Sequence, residues 1–416
     1  DSIINHLYLK KSWRPLLEQT NSLLKRGVDF YKLRVKAGIA AYELKKYRQA
    51  VSHLQKSYSV VPGDTLVSSY YYRALKLSGR EDEASLLADQ LSPGLLQAVK
   101  ARKKGIVNEI AVEASLSRNK DFDALRGEVL ESDGGISSYR TIERNQNLYL
   151  ISLGHHLFPH INVNHDFSMR NIDRILQVNS RFNQPVAPHD PSTSQYQYFL
   201  NTRYCLMKGW SFSVSGIYIW GKSYSFSPLL RFTGKSDLEQ NTLKINDNIV
   251  SFGINKESTY LNTSLTAGYG MINGYKQFQS TLSMILYPFG NNNFFIIPDA
   301  TLHWDEEAGN CNMVFQPQIG IKTDPFWISG EYGSGKIKNF YTGGGKMVYN
   351  VPETITGYWG VILTAPIIKS KLNLSARFRQ STKEGTNYVF TDKLASSKKQ
   401  YTFLDQSVLV TLKWNW

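Results

Sequence analysis

The chain predicts an α+β protein of two parts: N-terminal α-helical repeats, then a transmembrane antiparallel β-barrel of about fourteen strands. Three observations carry this expectation. Residues 10–98 show helical periodicity and few strand formers. From residue 107 onward the period of apolar residues is two. The chain then closes on a strand from Phe403 to Trp416. Leu404, Val408, Val410, Leu412, Trp414 and Trp416 share one of its sides; Asp405, Ser407, Thr411, Lys413 and Asn415 share the other. Apolar residues toward lipid and polar residues toward a lumen, ending on a bare aromatic, is the pattern of a membrane barrel's closing strand.

Composition narrows the class. A chain of 416 residues holds two or more domains, and its mean hydropathy of −0.33 is too polar for a bundle of membrane helices. The longest apolar run, Tyr358 to Ile368, falls short of the ~20 residues a spanning helix needs. A barrel escapes that test, because only alternate residues face lipid. Asp1 in place of Met implies a removed secretory signal, and the absence of Cys at that position speaks against a lipid-anchored terminus. Cys205 and Cys311 lie far apart on different expected strands, so two separate thiols is the plainer reading and a disulfide the alternative.

Charge is uneven. Residues 1–106 hold 19 Lys+Arg against 9 Asp+Glu, whereas residues 107–416 hold 29 against 25. The basic character therefore belongs to the helical part. An exported chain rarely meets nucleic acid, so the expected partners are acidic proteins, anionic polymers or the headgroups of outer-membrane lipid.

The helical part is expected over residues 1–105. A 34-residue frame from Tyr31 puts Gly38 at position 8, Ala50 at 20, Leu54 at 24, Ser57 at 27 and Pro62 at 32. Small residues there let two helices pack closely, and the proline ends the second. A second frame from Thr65 gives Ala84 and Ala88 at positions 20 and 24, but Tyr72 where the glycine would stand. Upstream, Trp13, Leu16, Leu17, Leu23 and Leu24 fit a degenerate first repeat. Lys100, Arg102, Lys103 and Lys104 then precede the barrel, either as a solvated linker or as an anchor on anionic headgroups.

The barrel is expected over residues 106–416. Its strands read near 107–118, 144–157, 161–171, 194–207, 210–221, 246–256, 259–270, 275–287, 294–304, 311–322, 326–336, 353–364, 371–380 and 402–416. In the twelfth, Trp359, Val361 and Leu363 compete with Tyr358, Gly360 and Ile362 for the lipid side. Pro298 and Pro317 predict bulges or lost ladder bonds. Connections alternate between short turns and long polar segments (119–143, 172–193, 222–245, 337–352, 381–401), apart from tight loops near Asn273 and Ala308. That asymmetry is the one between periplasmic turns and extracellular loops, and it places both the helices and Trp416 in the periplasm.

Tetratricopeptide-like repeats feeding directly into a C-terminal barrel resemble the YaiO-type outer-membrane proteins. More loosely, they are similar to exopolysaccharide export porins, whose repeat arrays are much longer. The resemblance implies a Gram-negative outer-membrane address and this architecture, and no chemistry.

Candidate sites follow from the two patterns. The first helices of the repeats would present Lys32, Val35, Ile39, Tyr42, Arg73 and Lys76 to a partner. The lumen would receive Glu113, Asp166, Arg170, Arg203, Glu331, Arg377, Arg379 and Asp405, together with Arg118, and such mixed charge either lines water or closes on itself. Trp414 and Trp416 would close the barrel. His155, His156, His160 and His165 cluster, but a Ser152–His155 or His165–Ser168 pairing competes with plain interfacial histidines. No cofactor and no metal are expected, since no Cys/His spacing fits zinc, and Gly343–Lys346 reads as a surface turn. The leading expectation is a non-enzymatic barrel whose repeats dock a protein of an envelope assembly or export complex. A saccharide or polymer pore is the alternative, and a lipid-modifying enzyme a weaker one.

Overall fold

The computed structural model describes every residue except 1, 102, 104, 131–136, 181–190, 231–235, 369–370, 391–395 and 416. Seven helices come first: α1 (Ser2–Leu9), α2 (Trp13–Lys25), α3 (Tyr31–Glu43), α4 (Tyr47–Val60), α5 (Thr65–Leu77), α6 (Glu81–Gln90) and α7 (Pro93–Val99). Helix α3 packs on α4 because Gly38 has no side chain: a Cβ there would lie 2.6 Å from Leu54 Cγ. Asp64 caps α5 by accepting the Val67 N–H at 3.0 Å, and Ser92 with Pro93 starts α7. Leu16, Leu33, Leu54, Tyr71, Leu75 and Leu87, all buried, form the core of this unit.

His53 on α4 is buried beside a cation. Arg34 Nη1 donates to its Nδ1 at 3.1 Å, while Asp29 holds the same guanidinium at 2.7 and 2.6 Å. Burial first, and the Arg34 charge second, push His53 down from 6.5 to about 4.

The barrel strands, numbered in chain order, are β1 (Val107–Asn119), β2 (Ser137–Phe158), β3 (Ile161–Ser180), β4 (Ser192–Cys205), β5 (Trp210–Leu230), β6 (Ser236–Glu257) and β7 (Leu261–Ile272). They continue with β8 (Tyr275–Leu286), β9 (Phe294–Ile297 and Asp299–Asp305), β10 (Asn310–Phe315 and Gln318–Thr323) and β11 (Phe326–Ile337). The last three are β12 (Thr354–Ile368), β13 (Leu372–Phe390) and β14 (Ser396–Asn415). Each pairs antiparallel with its sequence neighbours, and β1 pairs with β14 from Glu109↔Asn415 to Asn119↔Asp405. The fourteen strands therefore form a closed ring.

Pro298 and Pro317 interrupt β9 and β10 where proline removes a donor. Flanking atoms carry the ladder across the gap: Gln316 N donates to Asp299 O at 2.9 Å and Tyr332 N to Pro317 O at 3.0 Å.

Alternation sorts the side chains. On β9, Leu302 and Trp304 are 55% and 38% exposed, whereas Thr301, His303 and Asp305 are buried inside. On β12 the competition resolves toward Trp359, Val361 and Leu363 outside, with Tyr358 inside. Exposed Val112, Ile151, Phe167, Phe212, Phe252, Leu265, Phe278, Ile321 and Val410 continue the apolar surface around the ring, far beyond what a water-facing barrel leaves bare. Its solvent is hydrocarbon.

Two expectations change. Strands β2, β3, β5, β6, β13 and β14 run well past the ends assigned from sequence, into segments read as loops. Their backbones pair with one another as hairpins beyond the apolar belt, so apolar alternation does not mark them. Residues 337–352 are no outward loop at all; they turn into the barrel.

The helices attach at the short-turn end. Buried Arg48, at the start of α4, donates to the carbonyls of Thr259 (3.0 Å) and Ser258 and to Asn262 Oδ1, with its guanidinium 3.9 Å from the Tyr287 ring centre. Arg80 and Arg203 share Glu257, and Arg203 lies 3.4 Å from Asp82. Met207, in the β4–β5 turn, packs on the helical core.

Two outcomes follow. Because the folded His53 resists protonation, stability is complete above its unfolded pKa near 6.5 and falls as pH drops toward 4, by up to about 3 kcal/mol. Thermal melting of the helices followed at pH 7.5 and 5 should show this loss, and His53→Gln should flatten it. Replacing Arg48 with alanine should weaken the attachment by at least about 2 kcal/mol, read as faster amide exchange over residues 258–262. Unchanged exchange would mean that Arg48 does not hold the helices.

Candidate functional site: the occluded lumen

A barrel of fourteen strands is wide enough to leave its interior to water unless something fills it. Here the chain itself does. After β11 it is held at the long-loop end by Asn339, which is fully buried. Asn339 Nδ2 donates to Asp305 (3.0 Å) and Glu307 (2.9 Å), and its Oδ1 accepts from Asn273 Nδ2 at 2.8 Å. Residues Phe340–Thr342 and Met347–Tyr349 then form a short hairpin inside the ring, joined by Gly343–Gly345.

Both faces of that hairpin are met by inward side chains. Phe340 is buried against Val314, Ile337, Ile355 and Tyr358. Tyr341 and Val348 pack on Phe199, Ile217, Ile219 and Ile249, which occupy lumen positions of β4, β5 and β6. Gln279 Nε2 donates to Tyr341 O at 2.6 Å, and Gln197 Nε2 to the carbonyls of Gly345 and Lys346 at 3.1 and 3.0 Å. Ser215 and Ser251 donate to Gly344 O at 2.7 and 3.2 Å. Two glycines make the fit possible. A Cβ on Gly268 of β7 would stand 2.0 Å from Tyr341 Oη; one on Gly345, whose φ is +114°, would stand 2.0 Å from Ile217 Cδ1.

Charge completes the closure. Arg174 donates to both oxygens of Glu353 at 3.1 Å, the pair being almost wholly buried. Lys383 bridges Glu143 (2.9 Å) and Asp405 (3.4 Å), and Ser117 donates to Asp405. Higher up, the short helix α8 (Phe122–Gly127) sets Phe122 and Leu125 against Ile142 and Phe403. Each ion pair is excluded from water, so removing one partner strands the other.

Beside the hairpin, two adjoining cavities of about 90 and 260 Å³ lie against β1–β3, β13 and β14, sharing Leu148, Arg170, Met347 and Arg377.

No family model and no curated protein matches this sequence. The barrel is similar to outer-membrane channels and transporters. A Pseudomonas aeruginosa FadL homologue matches at 7% identity over 74% of this chain and 90% of its own, with a TM-score of 0.49. The toluene transporter TodX of Pseudomonas putida gives 8% identity, the same coverages and 0.48. A bacterial polysaccharide outer-membrane secretin gives 8% identity over 75% of this chain and all of its own, at 0.36. Such likenesses concern barrel architecture; what those proteins carry is said of them alone.

Of the residues proposed from sequence for the lumen, Asp166, Arg170 and Asp405 are buried inside, and Glu113, Glu331, Arg377 and Arg379 lie half-buried there. Arg379 pairs with Glu331 at 2.8 Å and donates to Tyr349 Oη at 3.2 Å. Asp166 pairs with Lys346 of the inward segment at 3.5 Å. Arg203 sits at the short-turn mouth. Arg118 is a correction: it shares the outward parity of Val112 and Leu116 and is exposed. Trp414 pairs in register with Ile110 and Leu372, while Trp416 lies outside the described residues.

On the helices, Lys32, Arg73 and Lys76 are exposed and Val35 and Tyr42 half-buried. Ile39 is 1% exposed, so it packs in the interior and offers a partner nothing. Lys103 pairs with Asp89 at 3.5 Å; Arg102 and Lys104 lie outside the described residues.

Among the described residues, none of the clustered histidines pairs with Ser152 or Ser168. Ser152 faces the lumen and His155 the outside, where its ring meets His165 at 5.2 Å; His165 Nδ1 lies 2.7 Å from Tyr198 Oη. Both thiols are free.

The inward segment itself is what sequence reasoning missed. Its glycines and its Tyr341-x-x-x-x-x-x-Val348 pattern look like a turn-rich loop, and the only hint was a glycine on β7 facing the lumen.

Gly268→Leu should force Tyr341 away. With a reporter at Val348 (V348C, in a C311S background), an impermeant maleimide should react about tenfold or more faster, since overpacking such a contact costs about 1–3 kcal/mol. Equal rates would show that the glycine is not needed for closure.

Proposed function

We propose that this chain is a non-enzymatic outer-membrane protein whose barrel anchors a periplasmic docking module, built of tetratricopeptide-like helical repeats, for a protein partner in an envelope assembly. The observation that carries the reading is the combination of a lumen filled from within and helices fastened to the short-turn rim through Arg48, Arg80 and Arg203. A barrel spent on conduction has no need to hold its helices by buried guanidinium groups. One that presents a surface does, because a fixed orientation lowers the ordering cost of binding. Gly38 against Leu54 supports the repeat reading, and the short-turn end, by the usual asymmetry of such barrels, is the periplasmic one.

The docking face left by the structure is basic: Lys32, Arg73 and Lys76, with Val35 and Tyr42 between them. Tyr42 meets Tyr47 and Tyr70 edge-on at 5.4 and 5.0 Å, adding an aromatic cluster to this face. An acidic partner fits it.

A second reading, a gated conduit for a saccharide or polymer, is favoured by the open space beside the hairpin and by its polar lining.

Purification of the native protein in gentle detergent should recover a partner, and the triple charge reversal K32E/R73E/K76E should lose it while the barrel still folds. Recovery of the wild-type chain alone, under conditions that preserve other envelope complexes, would contradict the docking reading.

A further inference from the structure

Almost every cation inside this barrel is answered by a carboxylate. Arg174 has Glu353, Lys383 has Glu143 and Asp405, Arg379 has Glu331, and Lys346 has Asp166. Arg170 is the exception among the described residues. Its side chain is only 6% exposed, yet no carboxylate lies within ion-pair distance. Its one hydrogen bond runs from Nη1 to Asn350 Oδ1 at 3.3 Å, and its Nε has no partner. A guanidinium cannot shed its proton, so a buried one without a counter-ion is costly, and the ordinary remedy is an anion.

The place for that anion is open. Arg170 lines both cavities beside the inward hairpin, and Arg377 lines both with it. Arg377 is weakly engaged, 3.7 Å from a Glu331 oxygen that Arg379 already takes at 2.8 Å, and its Nε also lacks a hydrogen bond. Lys346 reaches the second cavity. Neutral hydrogen-bonding side chains make up much of the remaining wall, among them Ser115, Gln146, Ser168 and Gln197. Two guanidinium groups suit a planar oxyanion, and the hydroxyls and amides suit a body with many hydroxyls. The larger cavity, of about 260 Å³, admits a ligand of single-sugar size.

We propose that the lumen beside the hairpin is a binding site for an acidic sugar, its carboxylate held by Arg170 and Arg377 and its hydroxyls by the surrounding serine and glutamine side chains. The site does not depend on whether the barrel conducts or whether the helices dock a partner.

Titration of the purified full-length protein in detergent with glucuronic acid tests it by calorimetry. Saturable binding should appear, and Arg170→Gln and Arg377→Gln should each weaken it at least about tenfold, as loss of a charged hydrogen-bond donor implies. Resistance of each variant to trypsin and its heat-dependent gel mobility report a folded barrel. Arg377, half-exposed, keeps the test open should the Arg170 variant fail to fold. Glucose binding as tightly as glucuronic acid would overturn the proposal, as would unchanged binding by folded Arg377→Gln or no saturable binding by the wild type. Inorganic phosphate binding equally well would show that the oxyanion alone is read, and would overturn the sugar assignment.

Discussion

Everything in this structure depends on the pairing of β1 with β14. In hydrocarbon an unpaired backbone N–H or carbonyl costs several kcal/mol, so a sheet with open edges cannot stand there. Eleven register pairs between Glu109 and Asn119 on one strand and Asp405 and Asn415 on the other remove both edges together. Once the ring is closed, the parity of every residue is assigned: even a one-residue slip would turn Val408, Val410 and Leu412 inward and set Asp405 in lipid. The apolar belt and the charged interior are two sides of that single constraint.

Closure creates a second problem, which the inward segment resolves. A ring this wide has an interior face richer in polar groups than its own wall can pair. Residues 338–353 bring carbonyls, Asn350 and Glu353 to those groups, and bring Phe340, Tyr341 and Val348 to the few apolar lumen positions. The segment is a core within the ring. It is covalently part of the barrel, yet it is joined to the wall by side-chain contacts alone, outside the hydrogen-bond ladder of the main sheet. That arrangement makes its displacement local, with no strand needing to move.

How much of this was legible in the sequence differs by element. The strands that cross lipid were, because hydrocarbon enforces alternation: Trp210–Trp220 and Leu372–Phe378 read directly, and so did the breaks at Pro298 and Pro317. Their extensions were not, since Ser236–Leu243 and Thr382–Phe390 pair above the membrane where no solvent sorts their faces. The inward charges of Asp166, Glu331, Arg377 and Arg379 followed from parity, whereas Arg118 was misplaced by its charge despite its parity. Which charges meet which was hidden, because Lys346–Asp166 and Arg174–Glu353 join residues about 180 positions apart. Ile39 shows the limit of a repeat frame: it names a helix face but not what α3 packs against.

The helices and the inward segment share a consequence. One end of the barrel is covered by helices held through buried arginines, and the interior is filled from the other end, so the ring encloses a small polar chamber. Closure of the lumen rests on residues 338–353. Single-channel recording in planar bilayers tests it most directly, comparing the wild-type chain with one in which 339–351 are replaced by a short Gly-Ser turn. The wild type should give no stable conductance and the replacement a large, steady one. A wild-type conductance as large as that of the replacement would contradict it.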